Sequence, residues 1–245
     1  MYKVIKREYF IKGISYLIVV IYFIFLYIDA LSKDLGNVYS LRLKYLIIIL
    51  CFGISLLIGS KGYSKEDKLL VQLARVFTLI ADYYFVIYGD FEPGIFFFSL
   101  VQIIYIIRHS IWSKGKCKNI VFFIIALTAA LIISLNIKSP FIKKNLIILV
   151  FIYAALLLTS LYSSISTVRR GKYPKKASWM IAIGILLFFM CDLNVGLFNI
   201  LEDGNIKFYI GYLIWLFYGP SQLLLTLSGF KVEFLEEVFK IKNSQ

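Results

Sequence analysis

"IAIGILLFFMCDLNVGLFNI", residues 181 to 200, is twenty residues long and carries one charge, Asp192. A helix advances about 1.5 Å per residue, so this run is about 30 Å long, the thickness of a bilayer's hydrocarbon core. Its apolar residues do not alternate with polar ones, which argues against a barrel strand and for a spanning helix. The run lies in a candidate span over residues 177–200, and seven others follow the same pattern: roughly 13–28, 44–60, 69–88, 94–111, 119–135, 145–166 and 208–229. Hydrophobic residues make up 60% of the 245-residue chain and charged residues only 17%, against about a quarter charged in an average soluble domain. Length and composition therefore predict an all-α, integral multi-pass protein. Residues 1–245 are expected to form a single transmembrane domain of eight helices, in a bacterial cell membrane. The loops are short, and Pro93, Pro140, Pro174 and Pro220 mostly mark span boundaries.

The net charge of +13 is unevenly spread. Assigned to alternating sides, 19 Lys and Arg fall on one side and 7 on the other, with Arg75 left inside the third span. The positive-inside rule then puts both termini in the cytoplasm, as an even number of crossings requires. Anionic lipid head groups account for the basic excess, so no nucleic acid is expected as a partner. The basic opening "MYKVIKREYFIK" precedes an apolar run too long for a secretory signal, which predicts an uncleaved first helix. Cys51, Cys117 and Cys191 are single and widely spaced, so no disulfide framework or zinc knuckle is implied. The tail "VEFLEEVFKIKNSQ" has Val232, Leu235, Val238 and Phe239 at helical spacing, which suits a short amphipathic helix on the inner interface.

A second run, "LARVFTLIADYYFVIYGD" (residues 73 to 90), also has an acid among apolar residues, Asp82. Spans three and seven run in one direction, each with an Asp; spans four and eight return with Gln102 and Gln222. That correspondence suggests a parallel repeat of four helices. Depth along the helices places Asp82, Asp192, Gln102 and Tyr218 in one layer, roughly 9 to 15 Å from the outer boundary. Tyr105 and Gln222 come about a turn deeper, and Asn194, Tyr83 and Tyr84 are further candidates. A charged Asp at mid-bilayer costs about 2.5 to 3.5 kcal/mol, so such groups face the interior. Each could be a hydrogen-bonding strut between helices; two at one level, with amides and a phenol, favour a polar site.

Other polar residues have smaller claims. Lys44 opens span two at the outer mouth, where it could meet a phosphate or an Asp, or snorkel. The Arg75 head group is expected to reach cytoplasmic water, and His109, the one histidine, to lie at the inner interface. One imidazole does not make a His-rich zinc site or a serine-histidine triad, and the glycine-containing loops lack a P-loop pattern. No metal or cofactor is called for, so an enzyme of this composition works with carboxylic acids.

Several of these stretches resemble the YhhN-like lysoplasmalogenase family of eight-span membrane proteins. They are "LKYLIIIL" from residue 43, "LIADYYFVIYGD" from 79, "PGIFFFSLVQIIYI" from 93 with Gly94, Phe98 and Tyr105, "GILLFFMCDLNVGL" from 184, and "YGPSQLLLTLS" from 218. Three positions depart from the family pattern: Gln102 stands for a histidine, Tyr45 for a proline and Cys191 for a serine. The resemblance implies hydrolysis of the vinyl ether of a lysoplasmalogen, giving a fatty aldehyde and glycerophosphoethanolamine or glycerophosphocholine. The residues suit that chemistry, since a proton donor and a water base, as in glycosidases, handle an oxocarbenium ion with two carboxyl groups. Asp82 and Asp192 are then expected to divide the roles. Gln102, Tyr105, Tyr218 and Gln222 would orient water and substrate, and Lys44 would take the head-group phosphate. A lysophospholipid is the expected substrate, membrane lipid the surroundings, and the oligomeric state is open. Paired intramembrane acids also suit an ion or lipid carrier, and loss of the family histidine suits a catalytically inactive lysolipid-binding relative.

Overall fold

A computed structural model describes residues 2–111, 116–136, 144–170 and 173–239, with side chains for 7–110, 118–136, 144–169 and 173–239. Lys3, Lys6, Lys114, Lys116, Lys138, Lys143, Arg170, Lys172, Lys240 and Lys242, counted in the charge balance, and Cys117 lie outside those side chains, as does Pro140. The helices are α1 (Tyr2–Ser32), α2 (Val38–Leu56), α3 (Lys65–Asp82), α4 (Phe91–Ile111), α5 (Lys116–Asn136), α6 (Lys144–Arg170), α7 (Lys175–Ile200), α8 (Asn205–Leu227) and α9 (Val232–Phe239). A π-helical turn, Tyr83–Tyr88, continues α3. Among the described residues no strand forms, and eight helices are long and apolar enough to cross a membrane.

Local chemistry sets the helix ends. Asn37 caps α2, its side chain accepting from the amides of Tyr39 (3.0 Å) and Ser40 (3.3 Å). Ser64 caps α3 through the Asp67 amide at 3.0 Å, with Glu66 and Asp67 in the first turn facing the positive end of the helix dipole. The π turn closes at Gly89, whose φ of +75° favours glycine. Pro220 lies inside α8 rather than at its boundary. It has no amide to offer the Leu216 carbonyl, and the Tyr22 hydroxyl of α1 donates there at 2.9 Å. A side chain on the adjacent Gly219 would strike the Tyr22 ring, with a Cβ only 2.6 Å from it.

The neighbour pattern has the symmetry of the expected repeat. α1 packs on α2 as α5 packs on α6, α2 on α3 as α6 on α7, and α3 on α4 as α7 on α8. The cross-contacts correspond too, α2 with α8 matching α6 with α4, and α1 with α8 matching α5 with α4. Large apolar side chains such as Phe23, Ile125 and Ile200 point outward. An apolar surface of that extent suits acyl chains rather than water. Lateral packing relies on close approach, as where the Ser221 hydroxyl of α8 bonds the Gly184 carbonyl of α7 at 2.8 Å.

The helix that holds the first span, expected over 13–28, continues to Ser32, so Asp29 falls within it. Among the described residues the tail forms the expected short amphipathic helix over Val232–Phe239, and this α9 docks on the bundle. Phe234, Leu235 and Val238 are buried, the Phe239 ring meets Tyr16 edge-on, and the Lys231 amide donates to the Lys61 carbonyl at 2.8 Å. Residues 240–245 lie outside the described part of the chain.

Candidate functional site

One face of α3 is buried along its length, carrying Asp67, Val71, Ala74, Arg75, Thr78, Ala81 and Asp82. This is the 3.6-residue stripe of a packed helix with four polar groups in it. Asp82 ends the regular part of α3, just where the backbone opens into the π turn, a distortion common at functional sites. The Tyr218 hydroxyl of α8 donates to its Oδ2 at 2.5 Å, in a buried setting. Asp192 is held in a matching way by α6, since its Oδ2 accepts from the Tyr153 hydroxyl. Each acid thus takes a phenol from another helix. Asp82 is buried and Asp192 is partly accessible; the Tyr218 ring beside Asp82 lies 5.6 Å from Phe188, one helical turn before Asp192.

An aromatic wall stands beside the acids. The Phe98 and Phe188 rings meet edge to face at 5.6 Å, and the Tyr218 ring lies 5.6 Å from Phe188 and 6.3 Å from Phe98. Gln102 is wholly buried beside the Tyr153 hydroxyl, yet neither its amide oxygen nor its nitrogen closes a hydrogen bond of normal geometry.

The remaining sequence candidates converge on Arg75. Its guanidinium donates to the Gln222 side-chain oxygen and to the Tyr105 hydroxyl, so Tyr105 and Gln222 hold an arginine between them. Arg75 does not reach water as expected. It is 1% exposed and, among the described residues, forms no ion pair. His109, near the end of α4, is likewise buried, stacked on Tyr105 at 5.8 Å with Nδ1 3.3 Å from the Ser163 hydroxyl. The two side chains stay inside because neighbouring helices supply polar partners that a single span cannot show. Some of that polarity is unmatched: among the described residues, Arg75 Nε, Gln222 Nε2 and His109 Nε2, as well as the Gln102 amide, close no hydrogen bond of normal geometry. Leaving a buried polar group unsatisfied costs about 1 to 3 kcal/mol.

Lys44 is the candidate whose expected place is corrected most. It is wholly buried, not at an open mouth, because Asp29 on α1 draws it in. Their charges lie 2.8 Å apart as a contact ion pair rather than an aligned hydrogen bond. Asp29 also accepts from Ser40 at 2.5 Å, and the ammonium donates to the Leu35 carbonyl at 3.3 Å over the Trp215 ring, 5.2 Å from its centroid. Lys44→Met should lower stability by about 2 kcal/mol, less than a stranded buried charge costs, because Asp29 can neutralise itself by taking up a proton. A thermal melt in detergent reads this, and adding Asp29→Asn should recover most of the loss. A melting temperature unchanged in the single variant would contradict the pairing.

Toward the end of the bundle where α8 finishes, a second buried ion pair closes the interior. Arg108 Nε and Nη2 reach the two Asp67 oxygens at 2.8 and 3.2 Å, and its other donors go to the Ser228 hydroxyl and carbonyl, both at 2.9 Å. The Tyr173 hydroxyl, from the loop before α7, also donates to Asp67. Burial, opposed by Arg108 and aided by Asp67, pushes that hydroxyl well above its ordinary range and keeps it a donor. Sequence reading missed Tyr153, Asp29 and this network. Asp29, Asp67 and Arg108 sit at the edges of apolar runs, where charges are ordinary, and Tyr153 is one of 18 tyrosines. The surface hollows beside Phe122 and Tyr162 and around Asp203 and Gly204 include none of these side chains.

Eight long apolar helices with two acids sunk between them, each held by a phenol, define an integral multi-pass membrane protein with a polar interior. The chain belongs to the YhhN family, whose model matches residues 39–229, from α2 through α8, and so takes in both acids. Comparison with curated proteins and with solved structures returned no match.

Proposed function

We propose that the protein is a lysoplasmalogenase-like hydrolase that cleaves the vinyl ether of a lysophospholipid, with Asp82 and Asp192 as its acid and base. The observation that carries this reading is the pair of interior carboxyls, each bonded to a tyrosine on a neighbouring helix, with the Tyr218 ring that serves Asp82 packed 5.6 Å from Phe188, one helical turn before Asp192. In the reaction the protonated carboxyl gives its proton to the outer alkenyl carbon, leaving an oxocarbenium ion at the carbon bonded to oxygen. The ionised carboxyl takes a proton from water as the water oxygen adds to that carbon. The resulting hemiacetal loses its hydroxyl proton and breaks its bond to the glycerol oxygen, which is protonated as the aldehyde forms. The proton balance closes, water is the only co-reactant, and the two-carboxyl logic is that of glycoside hydrolysis. Tyr153 and Tyr218 orient the carboxyls, and the apolar wall of Phe98 and Phe188 suits an alkenyl chain.

Purified protein in detergent should release free aldehyde from a lysoplasmalogen, measured by mass spectrometry or by a coupled dehydrogenase. Tyr153→Phe removes the phenol that holds the more accessible acid and should lower kcat about 10- to 100-fold with KM little changed, the effect of losing alignment by a fraction of an ångström to an ångström. No aldehyde from the wild-type protein would end the proposal. The second reading, an ion or lipid carrier, draws on the buried polar residues that continue from Asp82 through Arg75 to Asp67. A carrier makes no aldehyde and needs a sealed compartment to show activity, so the same assay separates the two.

A further inference from the structure

Arg75 presents a buried positive charge with no carboxylate in contact among the described residues, Asp82 acting on it only at longer range along α3. Lys44 and Arg108 each have a carboxylate within 2.8 Å, whereas Arg75 is gripped by an amide oxygen and a phenol, both neutral. A guanidinium does not shed its proton, so the charge persists in the interior and attracts an anion. Donors without partners gather around it, namely its own Nε and the Nε2 of Gln222, with the unpaired Gln102 amide one helical turn from Tyr105 on α4. An arginine with amide donors beside it is the chemistry that recognises phosphate oxygens.

The spacing ties this centre to the acids. Arg75 and Asp82 share the buried face of α3, seven residues and so about 10 Å apart along the helix. In a lysolipid, the chain from the alkenyl carbon that takes the proton, through the ether oxygen and glycerol, to the phosphorus spans roughly 7 to 8 Å by bond lengths of about 1.5 Å. A charge-assisted hydrogen bond adds about 3 Å. One molecule can therefore reach both places. We propose that Arg75, with Gln222 and Gln102, forms the subsite for the phosphate of the substrate, deep in the bundle and away from Lys44. This rests on the hydrolase reading for what the phosphate belongs to, while the anion site itself does not depend on turnover.

Binding of ligands that cannot be turned over tests the site separately from the reaction. The full chain in detergent is titrated with lysophosphatidylethanolamine and with a monoacylglycerol of the same chain length, which lacks the phosphate. The wild-type protein should bind the phosphate-bearing ligand at least about tenfold more tightly, and Arg75→Gln should bring the two affinities within about twofold. Glycerophosphoethanolamine should displace the lysolipid from the wild type. If inorganic phosphate does so equally well, the site takes free phosphate as readily as a head group. The same preference in Arg75→Gln as in the wild type, or no preference in the wild type, overturns the proposal. Should Arg75→Gln fail to fold, Arg75→Lys keeps the charge but loses the forked donors; it should reduce the preference several-fold, and an unchanged preference is again fatal. A preference for phosphate that Arg75→Gln abolishes, with no aldehyde from any vinyl ether, would leave the anion site standing and remove the hydrolase reading.

Discussion

Asp82→Asn and Asp192→Asn each stop aldehyde release, lowering kcat by at least about 10³-fold, within the range that a positioned acid or base contributes. The amide has nearly the carboxyl's shape and keeps a carbonyl oxygen for the Tyr218 or Tyr153 hydroxyl, so the hydrogen bonds that hold each side chain survive. What it cannot do is give up or accept the proton. Loss of turnover should therefore come with an unchanged elution volume on gel filtration and a melting temperature near that of the wild type. Both variants should bind a lysolipid with roughly wild-type affinity, because neither acid is assigned to the phosphate. Full turnover in either variant would show that its carboxyl is a strut between helices and not a reactant.

The largest stability effect is expected at the other end of the polar column. Asp67→Ala removes the carboxylate that pairs with Arg108 among the described residues, and the charge is then stranded with no exposed surface. Breaking a buried pair in this way costs about 3 to 5 kcal/mol. The reverse change, Arg108→Leu, should cost less. An aspartic acid can take a proton and become neutral, and Tyr173 is still there to share a hydrogen bond with it, whereas a guanidinium has no such escape. Thermal melts in detergent should rank wild type above Arg108→Leu, and Arg108→Leu above Asp67→Ala. The opposite order would mean that Asp67 is the charge held at a cost and Arg108 its remedy.

Much of the architecture was legible in the chain because a spanning helix is a property of contiguous residues. Hydrophobic length is read along the sequence, and eight such runs became eight long apolar helices. Asp82 and Asp192 were conspicuous for the same reason, each standing out against its own apolar run. Their partners were not. Tyr153 is bonded to Asp192 from 39 residues away, and Tyr218 to Asp82 from 136 residues away, so both depend on how separate helices are rotated against each other. Lys44 and Arg75 show the limit most clearly. A lone cation near a span end is expected to snorkel, but Asp29 draws one inward, and Gln222 and Tyr105 hold the other.

The sequence by itself determined that the protein crosses the membrane eight times and buries two acids, because transfer of apolar length and the cost of a charge in hydrocarbon are set residue by residue. The tertiary structure alone decided which phenol serves which acid, that Lys44 is neutralised, and that Arg75 is held by an amide oxygen and a phenol with no carboxylate in contact among the described residues. Those are distances between side chains on different helices, and they exist only once the helices have packed.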